Sequence, residues 1–294
     1  MTADCGYEIP GVVWRRDPRA PEVPLVFDSP HSGTHYPHDF RFVCSSADLR
    51  RAEDAYVDEL WSAAPDFGAT LIGAAFPRSY LDPNRSAHDI DLELLEDGAA
   101  VRLEARPETR VGLIRRYATR TIPIYDRRLS IAEVLARIER YHTPYHRVLA
   151  EACDRLHRKF GTVWHINCHS MPSPPRKPGR RPEPEQGDFV LGDRDDTTCA
   201  PELTDFVART LRSMGYDVRI NEGYKGVEIV RRHGRPAERR HSLQIEVDRA
   251  LYMDQKELRI LPGDRLPSFA RLKADITRLI EALSSFANPR RIDQ

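Results

Sequence analysis

At 294 residues, with 40% hydrophobic and 31% charged side chains, the chain can build one large α/β domain or two smaller ones. Its 45 Lys and Arg balance 45 Asp and Glu, so no net charge draws it to nucleic acid or to an anionic membrane. The five cysteines, Cys5, Cys44, Cys153, Cys168 and Cys199, are odd in number and lack CxxC spacing, which argues against a disulfide framework or a structural zinc knot.

The first residues show no basic start followed by a long apolar run, and no stretch reaches the roughly 18 apolar residues of a membrane span. A reducing cytoplasm is the expected location. In chain order, the first buried strand is Leu25 to Phe27 in "PLVFDSPHSGTHYP", which ends in turn formers and presents His31 beside a glycine. "SSADLRRAEDAYVDELWSAAPDFG" reads as a single helix opening near Ser45 or Ser46, with Leu49, Val57, Leu60 and Trp61 inward and Gly68 as its stop. "ATLIGAAF" is a strand of buried type. The longest helical pattern starts at a capping box, Ser130 with Glu133, stops at Gly161, and should kink or divide at Pro144. "TVWHINCHS" is a strand, "CAPELTDFVARTLRSMG" a helix, "YDVRIN" and "HSLQIEVD" strands, and "PSFARLKADITRLIEALSSFA" a closing helix. The alternation predicts a mostly parallel sheet with helices on both faces, and residues 1–294 as a single α/β domain. A Pro/Arg-rich insert at 171–187 reads as a solvated loop or a flap over the site.

In a parallel sheet the C-terminal strand ends share one edge, so residues just past them converge. His31, then Arg78, Asp82, Asn84 and Arg85 in "PRSYLDPNR", His169 in "CHSM" and Glu246 in "LQIEVD" stand at such ends, with Glu53 and Asp54 on the helix after the first strand. Two histidines and a carboxylate from separate elements are what an open catalytic zinc site uses, and a further carboxylate can serve as general base. The competing reading is ordinary turn histidines and solvated carboxylates among the chain's eleven His. Glu246 is the hardest to assign to such a background, because a carboxylate inside an apolar strand needs a partner or a function. Cys168 adjoins His169, but adjacent strand residues face opposite ways, so a buried, inert thiol is expected.

"FDSPHSGTHYP", "FPRSYLDPNR", "INCHSM" and "LQIEVDRALYMD", in order from Pro24 to Asp254, resemble the N-formylglutamate amidohydrolases. The resemblance implies a three-layer α/β/α fold similar to zinc carboxypeptidases and aminoacylases, and a cytoplasmic zinc hydrolase of histidine degradation that releases formate and glutamate. It implies His31, Asp54 (rather than Glu53) and His169 as ligands of one zinc ion, and Glu246 as general base. Asn84 and Arg85 then hold a substrate carboxylate, and Arg78 pairs with a carboxylate or with the developing oxyanion. Of His233 and His241, near the Glu246 strand, His241 is the expected one to orient the site, with a surface role as its alternative. Asp196 stands where a glycine is more typical, and Val227 where some members carry a second glycine. The expected substrate is a small N-acyl amino acid, N-formyl-L-glutamate first, with no nucleic acid or membrane partner. Another N-acyl amino acid, a cell-wall amide, and a non-catalytic anion-binding module are the alternatives.

Overall fold

Alternation of side chains along three neighbouring strands decides the architecture. The computed structural model describes residues 6–96, 111–173 and 187–288. Its main sheet contains β1 (Gly6–Ile9), β2 (Val13–Arg16), β3 (Leu25–Ser29), β4 (Thr70–Ala74), β5 (Val163–Met171), β6 (Phe189–Gly192), β7 (Val218–Ile220) and β8 (Arg240–Asp248), in spatial order β1-β2-β4-β3-β5-β8-β6-β7. The central run β4-β3-β5-β8 is parallel. The edges depart from this: β1, β2 and β4 pair antiparallel, and β6 runs antiparallel to β8. The first hairpin and β6 are elements that the sequence patterns did not indicate.

The helices are α1 (Ser46–Ala52), α2 (Val57–Leu60), α3 (Ile131–Arg137), α4 (Thr143–Phe160), α5 (Pro201–Ser213), α6 (Glu228–His233) and α7 (Phe269–Ala287). Two apolar cores lie on opposite sides of the sheet. One joins Leu25, Phe27, Ile166, Cys168, Leu243, Ile245 and Val247 to α2, α5 and α7. The other joins Val26 and Ile72 to Val134 of α3, to Tyr145, Val148 and Leu149 of α4, and to Ile229 of α6. Between apolar residues on β5 and β8, the intervening positions His165, Asn167, His169, Ser242, Gln244 and Glu246 point to this second side, all buried. The sheet therefore has one dry face and one face whose centre is polar. No helix among the described residues is long and apolar enough to cross a membrane.

Two helix boundaries carry consequences. Ser130 Oγ accepts from the Glu133 N–H at 3.2 Å and opens α3, and Gly161, with φ 72°, closes α4. Between α3 and α4 the turn widens to π type over Ile138–His142, immediately before Pro144, whose ring displaces the carbonyl four residues earlier. The expected single helix from Ser45 to Gly68 is broken. It opens on Ser45, ends at Ala52, and resumes only at Val57, with Tyr56 in left-handed backbone at φ 66°. The Asp54 N–H leaves the helical pattern to donate to the His31 carbonyl at 3.0 Å. That tertiary bond overrides local helix propensity. Of the insert at 171–187, residues 174–186 lie outside the described residues.

Candidate metal centre and active site

The break after α1 delivers Asp54 to the end of β3, where His31 follows the strand. His169, near the end of β5, completes a buried trio whose possible ligand atoms lie within 4.8 Å of one another. Asp54 Oδ2 is 3.1 Å from His31 Nδ1 and 2.9 Å from His169 Nδ1. Glu53, the neighbouring carboxylate, turns away; Tyr36 Oη and Arg50 Nη1 donate to it at 2.5 and 2.6 Å.

The bonds on the far side of each ring assign a proton to Nε2. His31 Nε2 faces Asp82 Oδ1 at 2.7 Å, and a carboxylate there requires an Nε2–H. Asn167 Nδ2 donates to Asp28 Oδ1 at 2.8 Å, so its Oδ1, 2.7 Å from His169 Nε2, is the acceptor of a second Nε2–H. Both Nδ1 lone pairs then point at Asp54 Oδ2. Three electron pairs converge on one buried spot, which a cation relieves and which otherwise demands an extra proton on each ring. Two neutral imidazoles and a carboxylate, each held from behind, fit a divalent ion of the zinc type.

Asp54 is also gripped from the other side. Arg249 Nη2 donates to its Oδ1 at 3.0 Å, and Arg78 Nη1 lies 3.4 Å from the same oxygen. Burial alone raises this carboxyl, but the Arg78 charge beside it outweighs that and holds it well below the usual range. Arg249 is itself fixed by Ser170 Oγ and the Arg51 carbonyl, both at 3.0 Å. Asp82 sits in a similar balance, with Arg78 Nη2 at 2.9 Å and His31 outweighing its burial.

Glu246 pairs in register with His169 across β5 and β8, on the same polar face. Gln244 Nε2 donates to its Oε1 at 3.1 Å. Burial pushes its carboxyl up to about 7, against the pull of His169, in the range where a group both takes and gives a proton near neutrality. Arg78, Tyr224 and Arg249 act electrostatically on the same carboxylate, so the loop after β7 brings a phenol to the site.

Asn84 accepts from the Ile229 N–H through Oδ1 at 2.9 Å, which aims its Nδ2 at the His169 ring, 3.2 Å away. Because His169 Nε2 already carries a proton, that amide remains a donor with no acceptor there. Arg85 reaches two backbone carbonyls, Val111 at 3.0 Å and Asn84 at 3.3 Å, and forms no ion pair with a carboxylate among the described residues. The expectation for His241 is corrected. It lies on the opposite face, stacked on Trp164 with centroids 4.0 Å apart, and accepts from the Ala200 N–H. His233 instead lies on the site's side of the sheet, 5.8 Å from the His165 ring. Cys168 is buried in the dry core, and burial raises its thiol well above the usual range. Asp196 adopts left-handed backbone at φ 63°, the conformation that a glycine takes most readily.

Asp82, Asn167, Arg249 and Tyr224 have roles that the sequence patterns do not reveal. Asn167 and Arg249 lie within the quoted motifs "INCHSM" and "LQIEVDRALYMD", but only three-dimensional contact shows what they hold.

Residues 23–253 match the model of the N-formylglutamate amidohydrolase family. A crystal structure of N-formylglutamate amidohydrolase from Ralstonia eutropha is 46% identical and superposes with a TM-score of 0.86, covering 96% of this chain and 99% of that one. N-formylglutamate deformylase from Pseudomonas aeruginosa is 29% identical over 283 residues, which span 91% of this chain and 95% of the relative. An Agrobacterium tumefaciens gene product, 19% identical with a TM-score of 0.63, has the same fold across 94% of this chain. The chain thus belongs to the N-formylglutamate amidohydrolase family, and is a hydrolase of linear amide bonds.

Proposed function

We propose that the chain hydrolyses N-formyl-L-glutamate to formate and L-glutamate at a single zinc ion held by His31, Asp54 and His169. The observation that carries this reading is the convergence of both Nδ1 lone pairs on Asp54 Oδ2, next to a carboxylate poised near neutrality. The names of the relatives, N-formylglutamate deformylase and amidohydrolase, supply the substrate. When bound, the ion supplies Lewis acidity, polarising the formyl oxygen and lowering the pKa of water toward ~7.

The chain's own residues do the rest. Glu246 takes a proton from the attacking water and returns it to the amide nitrogen as the C–N bond breaks. Arg78, anchored by Asp82, brings fixed positive charge to where the oxyanion develops. Asn84 Nδ2 and the Arg85 guanidinium receive the substrate's α-carboxylate, since both have donor or charge capacity that the protein leaves unmatched. One sheet carries the strands that position these groups, so the chain acts as a single catalytic domain.

The test is hydrolysis of N-formyl-L-glutamate by metal-analysed protein, before and after chelation. Activity should disappear with the metal and return with zinc. Turnover that persists after complete removal overturns the mechanism. Zinc binding without turnover of the formyl substrate moves the assignment to another N-acyl amino acid.

A further inference from the structure

Asp82 lies among a group of arginines that it cannot neutralise alone. Arg78 pairs with it at 2.9 Å, and Arg115 Nη2 stands 3.6 Å from the same oxygen. Arg85 adds a third positive charge to its surroundings. Arg115 is the least satisfied of the three. Its side chain is only 16% exposed, its Nε is buried without a hydrogen-bond partner, and no other carboxylate within ion-pair reach is found among the described residues. Burial, followed by the proximity of Arg78, pulls its guanidinium down to about 9, so it remains a cation at neutral pH. An enclosed cation with an idle donor is costly unless an anion arrives to meet it.

Position says which anion. Asp82 gives one oxygen to His31 and turns the other toward Arg78 and Arg115, so a whole carboxylate stands between Arg115 and His31. A cavity of about 1100 Å³ is lined by Arg115 and Val111, together with Asp91, Glu93 and Arg116, so Arg115 belongs both to the cavity wall and to the group around Asp82. In an N-acylated acidic amino acid the α-carboxylate is attached to the carbon that bears the amide nitrogen, and the side-chain carboxylate lies several bonds further out. The more remote cation suits the more remote charge.

We propose that Arg115 is the specificity-determining residue for the substrate's side-chain carboxylate. It selects acidic over neutral N-formyl amino acids. This rests on the amidohydrolase reading above, and it adds a residue that no sequence motif singled out.

The experiment compares N-formyl-L-glutamate with its neutral isostere N-formyl-L-glutamine. The wild type should favour the glutamate compound by about 100-fold in kcat/KM, and Arg115→Gln should abolish that preference. The loss should appear mainly in KM for the acidic substrate, leaving the neutral one within about threefold, and Arg115→Lys should recover part of it. A wild type indifferent to the charge, or an Arg115→Gln enzyme that keeps the preference or loses both substrates equally, overturns the proposal. If Arg115→Gln does not fold, the wild-type ratio and the Arg115→Lys variant decide it. A protein that turns over neither compound refutes the N-formylglutamate reading. Calorimetric binding of glutarate then judges Arg115 separately: binding at least about 30-fold weaker in Arg115→Gln upholds it, and equal affinity sinks it.

Discussion

Asn167 Oδ1 accepts the proton of His169 Nε2 at 2.7 Å, and this contact ties the His31–Asp54–His169 trio to the core of the sheet. Behind Asn167, Asp28 accepts from Asn167 Nδ2, from His165 Nε2 and from Tyr145 Oη, and His165 Nδ1 meets Ser242 Oγ at 2.7 Å. Burial raises Asp28, but these donors, His165 foremost, keep it ionised as the anchor of the chain. Asn167→Leu removes the acceptor and frees the imidazole to rotate. Zinc affinity should fall about 10- to 100-fold in competition with a chromogenic chelator. Unchanged affinity would show that the ring is held by packing alone.

Glu246→Gln keeps the shape of the side chain and removes its basicity. Zinc content should match the parent, while kcat falls by about a thousandfold, within the range for loss of a general base. A loss of metal in step with activity would instead make Glu246 a ligand.

The thiol beside His169 is a decoy for mechanism. Cys168 lies in the dry core that Leu203 and Leu243 share, on the face of β5 opposite the trio. Cys168→Ala should leave kcat/KM within about twofold and lower stability by about 1 kcal/mol, read from urea midpoints. Inactivation of the well-folded variant would reopen a cysteine-nucleophile mechanism.

A cluster of histidines under the site makes the fold less stable in acid. His142 and His146 have ring centroids 4.3 Å apart, and His146 stacks at 6.1 Å on His233. Burial, together with neighbouring cationic groups, lowers His142, holds His146 well below 6.5, and brings His233 to about 3. The unfolded chain protonates these rings near pH 6.5 and the folded one does not. Their contribution is therefore complete above about 6.5 and is lost as pH falls toward the folded values, by about 1.4 kcal/mol per pH unit for each ring. Urea unfolding of chelated protein should show a lower midpoint at about pH 5.5 than at about pH 7.5, with a shallower dependence in His233→Gln. Identical pH dependence in that variant would remove His233 from the account.

The sequence by itself determined the alternation of elements, the caps at Ser45, Ser130 and Gly161, the disturbance before Pro144, and the two-sidedness of "HINCH" and "LQIEV". Each of these follows from side-chain period or backbone stereochemistry over a few neighbouring residues. Tertiary structure alone decided that the helix breaks to present Asp54, that Glu53 turns to Tyr36, that His241 faces the wrong side, and that Arg115 is left short of partners. These outcomes depend on contacts between residues far apart in the chain, 115 positions from Asp54 to His169 and 195 to Arg249. Local propensity continues a helix through residues 53–56, and only a distant carbonyl and two imidazoles outbid it. A charge's partners are fixed by which strands lie side by side, and no short-range pattern encodes that.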